Sequence, residues 1–201
     1  MSKQRTATRI VFPSRGRAEA KRVDLPDSLG PDEVLLRTSK SLISAGTELA
    51  LFSDRNELRP PGKDPYPQRP GYAAVGTIEA VGEGIDRLSP GDRVFAATPH
   101  ASACVFSPAR TICIRLPDDV SDERAVFVRM ALITLAALCR ADIQAGEWLG
   151  VVGLGIVGNL GAQLGREAGY HVVSVGRSKL RSERAAQCGI GPILEGGAEE
   201  I

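Results

Sequence analysis

The sequence predicts two fold types in succession: a barrel-like all-β unit, then a doubly wound parallel sheet. Three observations predict this. Short runs rich in Val, Ile and Thr, cut apart by Pro and Gly clusters, fill residues 1–120, and many short strands at such spacing suit a barrel-like unit. From Ser121 the apolar content becomes too long and continuous for one strand, which reads as helix. Finally, "LGVVGLGIVG" at 149–158 is a short apolar strand running into glycines and on into a helix. Such β-α-β succession specifies a parallel sheet.

In order along the chain, "TRIVF", "EVLLRTSKSLI", "AAVGTIEAVG", "DRVFAAT", "ACVFSP" and "TICIRLP" are the expected strands of the first unit. "LPDSLGPDE", "RPPGKDPYPQRPG" and "LSPGDRV" punctuate them. The strand-poor stretch 54–71 predicts a surface loop. "SDERAVFVRMALITLAALCRADI" predicts one helix, mostly buried, with Ser121 as N-cap and Asp122 and Glu123 suited to its first turn. After "LGVVG", Val157, Leu160, Gly161, Leu164 and Ala168 recur at helical spacing and Gly169 fits a C′ stop. "HVVSV", "SKLRSERAAQCG" and "GPIL" then predict strand, helix and a short strand. The expected organisation is a β domain over 1–120, a connecting helix and linker over 121–146, and an α/β unit over 147–201.

Composition narrows the function classes. The chain has 201 residues, 43% of them apolar and 24% charged, with net charge +1, so neither a nucleic-acid nor a membrane partner is expected. No apolar run approaches the ~18 residues that span a bilayer. The start, "MSKQRTATRIVF", lacks a signal-peptide h-region, and the expected address is cytoplasmic. Cys104, Cys113, Cys139 and Cys188 are scattered, without the close pair that a zinc site or disulfide framework favours.

"GLGIVG" places Gly153, Gly155 and Gly158 in G-x-G-x-x-G register, with Ile156 and Val157 opening the helix. Here the first glycine permits the tight turn, the second lets a pyrophosphate approach the backbone, and the third allows helix-on-strand packing. Free N–H groups and the positive dipole end at the helix start suit the phosphates. At the end of the second strand, where an acid would hold the ribose 2′-hydroxyl of NAD, the chain has Gly176, Arg177, Ser178 and Lys179, with Arg181 close behind. Glycine leaves room for a 2′-phosphate and Arg177 offers a planar fork. The expected cofactor is therefore NADP(H) rather than NAD(H), against the alternative of a solvated basic helix start.

At this point the sequence resembles the medium-chain dehydrogenase/reductase family of alcohol dehydrogenases and quinone oxidoreductases. The resemblance rests on "ISAGTELALF", "RPGYAAVGTIEAVGEG", "LSPGDRVF", the helix after "LPDDVSDE", and "GEWLGVVGLGIVGNLGAQLGREAGYHVVSV". It implies a GroES-like β-barrel domain joined to a Rossmann domain, and an oxidoreductase acting on a small-molecule substrate. It also implies departures. Zinc-dependent members carry a cysteine ligand where this chain has Ala45, and often a relay histidine where it has Ala50. Their His-Glu ligand pair is replaced by Tyr72 and Ala73, and the lobe holding a structural zinc is absent between Asp92 and Ser121. No zinc, and no metal ligand, is expected.

Without a Lewis acid, a developing oxyanion needs hydrogen-bond donors. Thr47 stands where the family often places a relay hydroxyl, Tyr72 occupies a former ligand position, and His100 in "TPHASA" follows a strand end near the family's cleft. These three are the catalytic candidates, each with a structural alternative: a turn hydrogen bond for Thr47, filled volume for Tyr72, an ordinary loop position for His100. Glu48 is expected to support its loop, and His171 to be structural. Family members continue through three further strands, so the chain is expected to be a piece of a longer protein, or one completed by a partner subunit, with a homo-oligomer in the complete form. The resemblance leaves open carbonyl/alcohol chemistry, quinone or enoyl-thioester reduction, and a non-catalytic nucleotide-binding role.

Overall fold

A computed structural model describes residues 4–55 and 65–196. It forms two compact units, Met1–Val128 and Arg129–Ile201. Part of the expected loop, 56–64, lies outside the described residues.

In the first unit, β1 (Thr6–Ser14) and β2 (Arg17–Asp24) form an antiparallel hairpin. It is followed by β3 (Val34–Ser41), α1 (Ala45–Phe52), β4 (Ala74–Val81), β5 (Arg93–Ala96), β6 (Ala103–Phe106) and β7 (Cys113–Arg115). The last five strands make one antiparallel sheet in the order β6-β3-β4-β5-β7. Single bridges, Arg9 to Ala101 and Phe12 to Gln68, tie the hairpin to the segments flanking that sheet. Side chains alternate across a strand, and here both faces are covered. Val34 and Leu36 join Ile78, Val94 and Phe106 in one core cluster. Leu35, between them, packs with Ala7, Leu25 and Ala103 in another. Phe95 turns the opposite way from its neighbours Val94 and Ala96, into a cluster with Val75, Leu116 and Val126.

Two elements differ from expectation. The run "RAEAKRVD" of β2 has only two alanines and one valine as apolar residues, too weak a pattern to announce a strand; backbone pairing with β1 holds it. The single helix expected from Ser121 is broken into α2 (Asp122–Ala125) and α3 (Val128–Arg140). Ser121 makes no side-chain cap. Asp122 bonds instead to Arg93 and Ser39, pinning α2 to the sheet. Only Met130 and Thr134 are buried along α3, so this helix is not the mostly buried one its composition predicts.

The second unit continues with β8 (Trp148–Val152), α4 (Ile156–Glu167), β9 (His171–Gly176), α5 (Lys179–Gln187) and β10 (Ile193–Glu195). The three strands are parallel, with β9 central between β10 and β8. Leu154, Ala162, Val172, Ala185 and Ile190 form the core. Gly169 has φ +86 just after the C-cap Ala168, the left-handed stop expected there. The inward stripe of α4 is Gly161, Ala162 and Gly165, whereas Val157 is exposed at the helix start. His171 is exposed rather than buried, its ring beside Trp148 at a centroid distance of 5.2 Å. Among the described residues no helix is long and apolar enough to cross a membrane.

Candidate functional site

The opening of the second unit's sheet has the geometry of an anion cradle. Gly153 adopts φ +95, the left-handed region where a side chain is strained. A Cβ on Gly158 would come within 1.9 Å of the Gly153 carbonyl oxygen. Turn and helix start are thus packed backbone to backbone. Around Gly155, the N-cap of α4, the space is open: the nearest atom to a Cβ there is Nη1 of Arg181, at 4.0 Å. The first-turn amides of Ile156 and Val157 lead from this point.

Arg177, Ser178, Lys179 and Arg181 all lie exposed at the β9–α5 junction, with Ser178 as the N-cap of α5. No acidic side chain occupies the first turn of α5. Arg181 reaches back toward Gly155, so the basic cluster and the glycine turn adjoin. Gly176 departs from its expected role. It is buried, and a Cβ there would lie 2.8 Å from Ser182 Oγ and 3.1 Å from Leu154 Cδ1. Packing of α5 and the glycine turn on the strand end demands glycine with or without a ligand.

In the first unit, two of the three catalytic candidates meet. The Tyr72 hydroxyl donates to Thr47 Oγ1 at 3.3 Å, both near the surface. His100 goes elsewhere. It is buried, 6% exposed, with Nδ1 2.9 Å from Ser41 Oγ and Nε2 2.9 Å from Glu48 Oε2. The candidate His100 is thus a buried residue with both ring nitrogens hydrogen-bonded. Its backbone is held as well, N–H to Pro70 O and carbonyl to Ile10 N–H, each at 2.9 Å. Gly71, at φ +101, lies against the ring, since a Cβ there would be 2.9 Å from His100 Cγ.

Glu48 supports its segment as expected, though that segment is a helix. Its Oε1 accepts the N–H of Ser44, the N-cap of α1, at 2.8 Å. Ser41, which the sequence reading did not single out, closes the line. Ser41, Glu48 and His100 lie on one side of a groove of about 440 Å³ whose other walls include Ile10, Phe12, Leu49 and Phe52. At the positions of the family's zinc ligands, Ala45 is exposed at the start of α1 and Ala73 is fully buried against Val75 and Phe95. Tyr72 packs partly on that same cluster. Among the described residues no three His, Cys, Asp or Glu side chains converge as a metal site would need.

Comparison with known proteins agrees with this architecture. Residues 30–117 match the alcohol dehydrogenase GroES-like domain family. An alcohol dehydrogenase of Geobacillus stearothermophilus is 29% identical over 160 residues, covering 64% of this chain and 47% of that protein. The alcohol dehydrogenase TADH from Thermus sp. ATN1 superposes with a TM-score of 0.79 at 23% identity, over 96% of this chain and 64% of that one. A quinone oxidoreductase of Pseudomonas syringae pv. Tomato DC3000 gives a TM-score of 0.74 at 26% identity, over 94% and 58%. The chain spans about half the length of the curated relatives it matches, 47% and 53% of two of them. With the GroES-like match, the parallel βαβαβ half-sheet and these relatives together, the chain carries an alcohol dehydrogenase GroES-like domain at 30–117 and is similar in fold and sequence to alcohol dehydrogenases and quinone oxidoreductases.

Proposed function

We propose that the protein is an NADP(H)-dependent oxidoreductase that works without zinc, acting on a carbonyl or alcohol, or on an activated alkene such as a quinone or enoyl thioester. The observation that carries the reading is the glycine turn with basic residues beside it. A turn whose first glycine is left-handed, whose third glycine touches the first, and whose middle glycine faces open space fits a pyrophosphate against the backbone.

The bound nicotinamide dinucleotide supplies or accepts hydride; the chain's own residues do the rest. Backbone amides at Gly155, Ile156 and Val157 would take the pyrophosphate on the positive end of α4. Arg177, Ser178, Lys179 and Arg181 would take the 2′-phosphate, with Arg177 gripping it bidentately. Thr47 and Tyr72, already hydrogen-bonded to one another, would donate to the substrate oxygen where charge develops, in place of a metal. Zinc independence is supported by the residues at the ligand positions: Ala45 and Ala73 have no donor atom, and Tyr72 provides no thiolate or imidazole.

The test combines metal analysis with cofactor oxidation. The protein in its complete form should lack stoichiometric zinc and should consume NADPH with a panel of aldehydes, quinones and enones. One tightly held zinc per chain would overturn the metal-free reading. Tight NADPH binding with no turnover on any of the panel would mark a non-catalytic nucleotide-binding protein instead.

A further inference from the structure

We propose that Ser41, His100 and Glu48 form a proton relay whose outer end, the Ser41 hydroxyl, serves a binding groove for a small apolar ligand bearing one hydroxyl. The two inner members are almost wholly buried, Glu48 at 4% and His100 at 6% exposed, while Ser41 is exposed. Contacts of 2.9 Å link Glu48 Oε2 to His100 Nε2 and His100 Nδ1 to Ser41 Oγ. A carboxylate only accepts hydrogen bonds. Glu48 already accepts Ser44 N–H on Oε1, so with Oε2 also accepting, the ring hydrogen sits on Nε2. Nδ1 then presents a lone pair, and the Ser41 O–H points into it. The arrangement is rigid, because Gly71 and two backbone hydrogen bonds fix the imidazole in place.

A hydroxyl polarised in this way can exchange a proton with a ligand. The ligand's O–H proton passes to Ser41 Oγ as the Ser41 hydrogen passes to His100 Nδ1. The electron pair stays on the ligand oxygen as alkoxide, and the resulting imidazolium is held by Glu48. In the reverse direction the same atoms protonate an alkoxide. The walls decide the ligand class: Ile10, Phe12, Ile43, Leu49, Phe52 and Pro70 are apolar, so the relay is the groove's main source of polar recognition. About 440 Å³ suits a ligand of the size of a substituted benzene ring. The relay would supply the proton half of the proposed oxidoreduction, and to that extent it rests on that reading.

The test uses 1-phenylethanol labelled with 13C at the carbinol carbon, observed by NMR without cofactor. Its carbinol resonance should shift on binding as the ligand O–H donates to Ser41 Oγ. The shift should vanish in Ser41→Ala and persist in Ser41→Thr, which keeps the hydroxyl. The chain has 2 histidines, so 15N spectra of the protein and of His171→Asn assign the His100 ring directly. The hydrogen should sit on Nε2 in the wild type and move to Nδ1 in Glu48→Gln, whose amide can donate to Nε2. In turnover, Ser41→Ala should lower kcat at least tenfold with KM little changed. A wild-type ring protonated on Nδ1 alone, or a 1-phenylethanol shift unchanged in Ser41→Ala, would overturn the relay. If these NMR signatures hold while NADPH is never consumed, the relay stands and the oxidoreductase reading fails.

Discussion

Nε2 of His100 lies 2.9 Å from Oε2 of Glu48, and the two side chains are buried together although 52 residues separate them in sequence. Taking polar groups from water is costly unless each finds a partner, and here every ring nitrogen and carboxylate oxygen does. Removing one partner leaves the other stranded, at about 3 kcal/mol for a buried pair. Glu48→Ala should therefore destabilise the protein by about that amount. His100→Ala should cost less in the Glu48→Ala background than in the wild type. Denaturant unfolding of the single and double variants checks both statements; additive costs would show that the pair is not coupled.

The glycine turn separates packing from ligand approach. Gly158→Ala forces a methyl against the Gly153 carbonyl, where the available distance is 1.9 Å, so it should lower both thermal stability and dinucleotide affinity. Gly155→Ala meets only the tip of Arg181, at 4.0 Å. It should leave Tm nearly unchanged yet weaken NADPH at least tenfold, about 1.4 kcal/mol, by obstructing the pyrophosphate. Thermal melts beside calorimetric titrations resolve the two. A Gly155→Ala variant that binds NADPH normally would place the phosphates elsewhere.

The proposed preference for NADPH rests on Arg177. It is exposed at the end of β9, and among the described residues no ion pair engages it. NADPH should bind more tightly than NADH, and Arg177→Ala should narrow the gap by about 1–3 kcal/mol, the worth of a charge-assisted contact. Titrations with both nucleotides measure it. Equal affinities in the unmutated protein would refute the 2′-phosphate assignment.

The parts legible in sequence are those where local pattern and tertiary environment agree. Val34, Leu35 and Leu36 announce a strand buried on both faces, and the structure buries all three. The G-x-G-x-x-G spacing likewise announces strand, turn and helix because backbone geometry alone demands the glycines. Other features depend on contacts that sequence does not display. Gly46 and Thr47 argue against helix, yet α1 forms through them, its buried side being Glu48 held by a histidine from a distant segment. Ser41 looks like any polar strand residue until His100 is beside it. Gly176 suggests space for a ligand, whereas Ser182 and Leu154 occupy the space. The break after Ala125 is equally silent, since Asp122 is drawn to Arg93 across the sheet rather than to its own helix.

That last contact yields a pH-dependent prediction. Arg93 Nη2 donates to Asp122 Oδ1 at 2.7 Å and to Val120 O at 2.6 Å, while the Ser39 hydroxyl donates to Asp122 Oδ2. The Ser39 hydrogen bond first, and the Arg93 guanidinium after it, hold the Asp122 carboxyl below its usual range. A group with a depressed folded pKa contributes stability above its unfolded value, about 4 for aspartate, and loses it as the pH falls through the folded value. Asp122→Asn keeps the shape and removes the charge. Because the pair is partly exposed, 31% and 26% for the two side chains, the cost at pH 7 should be modest, about 1 kcal/mol. As the pH falls below about 4 and through the lowered folded value, that contribution is progressively lost, so the stability gap between the two proteins should narrow. Urea unfolding of both at pH 7 and at pH 3 makes the comparison. A gap that is equal at the two pH values, or wider in acid, would mean that Asp122 does not anchor α2 through its charge.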